Sequence, residues 1–251
     1  MKHLWNSCCV VAVLMTCLPL NFGLPMTHSS FFFGPRQVLL SLLVSGFSLG
    51  NVFSQEDPSA DILLAKISEK MQGYEAVHAE YESKMIDRQS DFEMAQTGEV
   101  WVQGERYHLE LGEYTIICDG QTVWTYEPEM GECYVDDAET IAEDGIDPAR
   151  MFTIWEEGFK KVLKGPQRLG DVTLTRVDLY PTGSEEQGYH TIQCFIDESA
   201  LELVQLVVKG RDGTDVEYTI LKMEGNGDAP KDGFTFELGN YPGATIIDNR
   251  F

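Results

Sequence analysis

The chain has 251 residues and sets 41 acidic against 18 basic side chains, a formal net charge of −23. A surface this acidic repels phosphate, which excludes nucleic acid as a partner and stable residence on anionic lipid headgroups. Acidity of this kind otherwise serves solubility, the plainer account of it.

Taken in chain order, the first feature is apolar. Leu4 to Pro25 is one apolar stretch; Val38 to Val52 is a second, preceded by Arg36 and ending in Val52-Phe53-Ser54, with slim residues where a signal peptidase reads. Residues 1–54 are therefore expected to be a leader, with Gln55 opening the mature protein, and Met26 is an alternative start that gives a signal peptide of ordinary length. A transmembrane hairpin built from both stretches competes with this reading, but Asn, Gly or Pro interrupts each stretch and both fall short of the ~20 apolar residues a span needs. Leu14-Met-Thr-Cys17 resembles a lipobox only faintly. Without residues 1–54 the chain keeps 197 residues with 16 basic and 41 acidic side chains, a net charge of −25. That length suits one domain, expected over residues 55–251. Three of the six cysteines fall in the leader, leaving Cys118, Cys133 and Cys194. An odd number without a Cys-x-x-Cys spacing argues against a metal centre or a disulfide scaffold. Each reads as a small buried strand residue, with a Cys118–Cys133 pair left open for an oxidising compartment.

After Asp57-Pro58, the run Ser59 to Met71 has Ile62, Ile67 and Met71 near one face at helical spacing, Ser59 or Asp61 to cap its start and Gly73 to end it. From Ala76 the period becomes two, with Val77, Ala79, Tyr81, Ser83 and Met85 alternating with His78, Glu80, Glu82 and Lys84. Turn chemistry at Asp119-Gly120, Met130-Gly131, Asp212-Gly213 and Asn226-Gly227 divides the rest of the chain. The expected strands are 76–88, 94–103, 106–111, 114–118, 122–127, 132–136, 159–164, 171–180, 189–197, 201–210 and 214–224, antiparallel because their connections are short. Residues 136–147 read as an acidic loop. Asp147 to Gly158 then reads as a second short helix, with Pro148 at its first position and Met151, Phe152 and Trp155 clustered on one side.

The fold class is thus mainly β with two or three short helices. A sheet of so many strands must curl or close, and the space it encloses is filled by side chains or by a ligand. Two amphipathic helices are available to plug that space. A permanently packed core is the simpler outcome, since pockets and cores share one periodicity. The bulky residues available to line the space are Tyr81, Trp101, Leu109, Leu111, Ile117, Trp124, Tyr126, Met151, Phe152, Trp155 and Phe159.

Little points to catalysis. His78, His108 and His190 alternate with apolar strand residues and are expected to face solvent. The chain has no Gly-x-Ser-x-Gly, Walker or dinucleotide motif and no histidine metal spacing. The acidic run Asp136 to Asp147 lacks the spacing of a calcium loop. Neither a metal nor a cofactor is expected.

Several segments carry a resemblance: Gln96 to Leu111 (QTGEVWVQGERYHLEL), Ile117 to Pro128 (ICDGQTVWTYEP, whose Asp-Gly-x-x-Val-Trp-x-Tyr is the most specific piece), Phe234-Thr-Phe, and Tyr241 to Asp248 (YPGATIID). Together and in order they resemble the periplasmic outer-membrane lipoprotein carriers, the LolA-like family, in its Bacteroidetes-type form. The resemblance implies an unclosed antiparallel half-barrel covered by an α-helical lid, with an apolar concavity that holds the acyl chains of lipoproteins. It implies a periplasmic, non-enzymatic monomer that accepts acylated lipoproteins from an inner-membrane ABC transporter and passes them to an outer-membrane acceptor. Ile62, Ile67, Met71 and Met151, Phe152, Trp155 would form the lid, and Trp101, Trp124 and Tyr126 would face the cavity. Arg106 would take the place of the arginine that latches the lid, although here Gln103-Gly104-Glu105 precedes it. Two readings stand beside the carrier: an envelope domain with a filled core, structural or sensory, and a half-barrel enzyme acting on a small apolar substrate through carboxylates with His108 or His190.

Overall fold

The computed structural model describes residues 58–144, 146–183 and 187–250. The expected leader, its cleavage point, Met26 and the lipobox-like Cys17 lie outside the described residues. Helix α1 (Pro58–Gln72) comes first, followed by β1 (Val77–Asp87), β2 (Phe92–Gln103), β3 (Arg106–Leu111), β4 (Tyr114–Cys118), β5 (Thr122–Glu127) and β6 (Glu132–Asp137). Helix α2 (Ala138–Asp144) and two 3₁₀ turns, Pro148–Arg150 and Ile154–Glu156, lead into β7 (Phe159–Leu169), β8 (Val172–Pro181), β9 (Tyr189–Asp197), β10 (Glu202–Gly210) and β11 (Thr214–Gly225). A last 3₁₀ turn (Leu238–Asn240) precedes β12 (Thr245–Asp248).

All twelve strands join one sheet in the order β12-β6-β5-β4-β3-β2-β1-β11-β10-β9-β8-β7. Neighbours are antiparallel except β12, which runs parallel to β6 with Ile246 opposite Cys133. The sheet is an unclosed half-barrel whose edge strands are β12 and β7. Pro166 can sit inside β7 because an edge strand leaves one row of amides without a sheet partner. That is why β7 runs on to Leu169, past the Gly-Pro pair at which the sequence pattern suggested an end. β12 is too short for its period to be legible.

Two further elements differ from expectation. Residues 138–144 form a helix, where acidity suggested a loop: Ala138 N donates to Gln121 O at 2.8 Å, and Ala138 and Ile141 pack against the interior. The segment after Asp147 is two 3₁₀ turns in place of one helix. Asp147 Oδ1 accepts from Ala149 N at 2.9 Å, so this carboxylate caps the first turn with Pro148 at its start.

Register decides what each face carries, since paired residues share a side of the sheet. On the inner face the rows run Val77-Val102-Tyr107-Cys118, Ala79-Val100-Leu109-Ile116 and Tyr81-Gly98-Leu111. Across β11 they continue as Tyr218-Leu206-Cys194-Val177 and Val216-Val208-Ile192-Leu179. The outer face carries the row His78-Trp101-His108-Ile117-Trp124-Val135 and, beside it, Tyr126-Cys133. Cys118 and Cys133 thus point to opposite sides, and all three described thiols are free. Burial pushes the Cys133 thiol up to about 11, so it stays a neutral, unreactive side chain.

This packing can be tested in two ways. Gly98 lies under the Tyr81 ring: a Cβ there would collide with the Glu110 carbonyl oxygen and stand 2.7 Å from the Tyr81 hydroxyl. Gly98→Ala is expected to cost ~1–3 kcal/mol by overpacking, read as a lower denaturation midpoint. Burial also holds the phenols of Tyr81, Tyr107 and Tyr218 above the ordinary tyrosine value. A group raised in the folded state stabilises fully below its unfolded value and loses that contribution as pH rises. Burial raises the thiols of Cys118, Cys133 and Cys194 as well, so unfolding free energy is expected to hold steady up to about pH 8.5 and to fall above it.

Candidate functional site: the covered inner face

The inner face of the sheet is apolar over most of its length, with Ser83 and Gln96 among its polar positions, and α1 packs over it. The helix is fit for this because Ala60, Leu64, Ile67, Ser68 and Met71 recur at three- and four-residue steps and form one buried stripe. Leu64 and Ile67 each keep 1 % of their surface. Each large apolar side chain on such a stripe contributes roughly 1.5–3 kcal/mol by leaving water. Ile62 is not part of the stripe and points to solvent, 59 % exposed. The pairing of Ile62 with Ile67 is corrected by helix geometry: five residues at 3.6 per turn place them about 140° apart.

The 3₁₀ segment adds Met151, Phe152 and Trp155, all buried in the same cluster. Trp155 is the deepest of these, 1 % exposed, and its Nε1–H donates to Ser68 Oγ on α1 at 3.0 Å. Further polar contacts hold the cover, among them Gln72 Nε2–H to Glu156 Oε1 at 3.4 Å. Lys161 Nζ of β7 meets Asp61 Oδ1 at 2.9 Å, Lys70 Nζ meets Glu202 Oε1 at 2.7 Å, and Lys70 Nζ also donates to Ala200 O at 2.9 Å. The two ion pairs are half-exposed and of the kind worth at most about 1 kcal/mol each. The apolar stripe therefore does most of the holding.

The expected lining residues divide by face. Ile67, Met71, Tyr81, Leu109, Leu111, Met151, Phe152 and Trp155 lie together in the interior, with Phe159 at its border, stacked on Tyr189 with ring centroids 6.4 Å apart. Trp101, Ile117, Trp124 and Tyr126 do not face that interior. They lie on the outer face beneath the C-terminal segment, where Tyr126 packs on Phe236 and Tyr241 at 6.2 and 4.8 Å. His78 stacks on Trp101 at 4.5 Å, and His108 meets the same indole edge-on. The physical reason is that both sides of β2 to β5 are covered, so the outer positions are apolar too, and residue type alone no longer marks the inner side.

Arg106 is likewise displaced from the expected role. It sits at the β2–β3 turn, donates to Gln103 Oε1 at 2.7 Å and lies 5.2 Å over the Phe234 ring, which ties it to the C-terminal segment and not to α1. His108, expected in solvent, is 2 % exposed and bonds the Gly233 carbonyl through Nδ1 at 2.9 Å. His190 is exposed and bonds its neighbour Thr191 at 2.8 Å. Neither imidazole reaches the interior, so the enzyme alternative gains no support. Among the described residues no group of three or more His, Cys, Asp or Glu side chains is arranged to hold a metal, and no helix is long and apolar enough to cross a membrane.

Sequence reasoning missed Leu64 and Ser68 on α1 and the Val216-Val208-Ile192-Leu179 row. The i, i+4, i+7 spacing of Ala60, Leu64 and Ile67 was the available signal for the first. The apolar run Leu206-Val207-Val208 marked the second.

No family model and no curated protein sequence gives a significant match to the chain. Among solved structures it is similar to an uncharacterized conserved protein from Thermus thermophilus, with a TM-score of 0.51 and 9 % identity over 76 % of this chain and 99 % of that one. Looser overlaps include a putative outer membrane lipoprotein-sorting protein domain from Vibrio parahaemolyticus (TM-score 0.43, 9 % identity, 71 % and 97 % covered). A LolA superfamily protein from Nitrosomonas europaea overlaps with a TM-score of 0.37 and 11 % identity over 70 % and 97 % of the two chains. At these identities the likeness is one of fold, and that fold is the unclosed antiparallel half-barrel covered by helices.

Proposed function

We propose that this protein is a carrier of acyl chains, holding those of lipoproteins between the inner face of the half-barrel and its helical cover. One observation carries the reading: a long, largely apolar sheet face is covered by a separate amphipathic helix that meets it through a buried apolar stripe. The order of the Trp-Val, Asp-Gly-x-x-Val-Trp and Phe-Thr-Phe segments, which resembles the lipoprotein carriers, points the same way.

The energetics favour exchange. Burying hydrocarbon is worth ~0.8 kcal/mol per methylene, so an acyl chain of about 14 carbons holds to a membrane by roughly 10 kcal/mol. An interior that replaces membrane with protein makes extraction nearly isoenergetic, provided α1 gives up its own apolar contacts for those of the ligand. On this reading residues 1–54 direct export and residues 55–251 act as one domain in the periplasm. That domain works as a monomer without cofactor, catalysis or nucleic acid. An inner-membrane ABC transporter supplies acylated lipoproteins, and an outer-membrane acceptor receives them.

The completeness of packing behind α1 favours a second reading, an envelope domain with a permanent core. Immobilising the cover separates the two. In residues 55–251, Lys70→Cys with Glu202→Cys, joined by a short bis-maleimide, fixes α1 at the β9–β10 turn while Cys118, Cys133 and Cys194 stay buried. The carrier reading expects the joined protein to keep its fold and lose uptake of a fluorescent fatty acid that the unjoined variant takes up. Equal uptake by both removes α1 from the mechanism, and no uptake by either favours the permanent core.

The Trp155–Ser68 bond makes a further test. Ser68→Ala leaves a buried Nε1–H unpaired and is expected to cost ~1–3 kcal/mol in stability. It should also speed uptake of the fatty acid, whereas a purely structural bond changes the first measurement and not the second.

A further inference from the structure

The hairpin of β1 and β2 runs past the end of β3. Pairing between β2 and β3 stops at Gly98 opposite Leu111, while β1 and β2 stay paired out to Asp87 opposite Phe92. The last part of β2 thus has a neighbour on one side only among the described pairings. On its inner face the overhang carries the rows Ser83-Gln96, Met85-Met94 and, at the tip, Asp87-Phe92, so Phe92, Met94 and Met85 form an apolar lane bordered by polar side chains. Met85 and Met94 are half-buried and pack against the interior, and Phe92 is 49 % exposed. Met85 lies opposite the buried Val216, so the apolar lane is continuous from the core to the rim.

The covering elements lie elsewhere. Helix α1 and the second 3₁₀ turn pack against β7, α2 packs against β5 and β6, and the turn Pro148–Arg150 packs against β2 and β3. A turn that touches both strands lies where they pair, and β3 pairs with β2 only from Gly98 to Gln103, away from the overhang. The lane at Phe92 is therefore the place where inner-face apolar side chains reach solvent past the cover.

Other exposed apolar side chains lead elsewhere: Val172, 53 % exposed, pairs with Leu169 at the margin of the separate cluster of Leu174, Phe195 and Val207, away from the interior. Phe92 differs because its neighbours lead inward. Two unbranched thioethers behind an aromatic lip adapt to a passing methylene chain, since methionine fills irregular apolar gaps without a fixed shape.

We infer that the β1–β2 overhang is the doorway of the interior, where a hydrocarbon chain first leaves water and slides along Phe92, Met94 and Met85 toward Val216. The inference rests on the carrier reading. It is tested by stopped-flow uptake of a neutral pyrene-labelled acyl ester by the full-length protein. Phe92→Asn, at an exposed position, is expected to fold normally, to take up the ester about tenfold more slowly and to reach the same final signal. Phe92→Leu, which keeps an apolar lip, and Val172→Asn, which removes an apolar side chain elsewhere, should both match the unsubstituted rate. Uptake by Phe92→Asn at the unsubstituted rate overturns the doorway and leaves the carrier standing, as does equal slowing by Val172→Asn. No uptake by the unsubstituted protein overturns the carrier and the doorway together.

Discussion

An unclosed sheet with an apolar inner face cannot stand alone in water, and the rest of this molecule depends on how that face is covered. The sheet has no closing strand to hide its interior, so the cover is a separate piece of chain, α1, joined by a short link to β1. Its stripe of Leu64, Ile67 and Met71 meets a floor of valine, leucine, isoleucine and tyrosine with little directional chemistry between them. Hydrophobic contact is roughly proportional to area and indifferent to partner. A surface held mainly in this way can exchange one apolar partner for another at small net cost, which is the property a lipid carrier needs and an ordinary core does not use.

The polar contacts that accompany the stripe serve orientation more than strength. Ser68–Trp155 is a buried hydrogen bond between α1 and the 3₁₀ segment, and it sets how the two parts of the cover meet. Asp61–Lys161 ties one end of the helix to β7, and Lys70–Glu202 ties the other to the start of β10. On the other side the C-terminal segment is fastened by aromatic packing of Phe236 and Tyr241 on Tyr126 and by the His108–Gly233 bond. One face is thus covered by a separate helix and the other is closed by a second layer, so the two covers are held by different contacts.

Much of this was legible in the sequence. Strand positions came from period two and from Asp-Gly and Asn-Gly turns, because those signals are local: Asn226, for example, takes a positive φ of 57° and accepts from Glu75 N through its own side chain. Facing was not legible, because it depends on what covers the far side. Val100-Trp101-Val102 alternates within a wholly apolar stretch, and only the return of residues 234–241 over the outer face shows that Trp101 and Trp124 belong to that side. The apolar run Ile116-Ile117-Cys118 was the hint, since a strand apolar at successive positions is covered twice. Ile62 misled because an apolar residue at roughly helical spacing was counted without its angle around the axis. Residues 138–144 misled because composition spoke for a loop while the Ala138 and Ile141 contacts, invisible in sequence, hold a helix.

The central claim is that α1 leaves the sheet without unfolding it, and amide hydrogen exchange measures this directly. The account predicts that the amides of α1 exchange by a local opening, much faster than those of β9 and β10, and that a bound fatty acid changes the exchange of α1 while leaving the sheet strands as they were. Protection of α1 equal to that of β9 and β10, lost only when the whole protein unfolds, would contradict it.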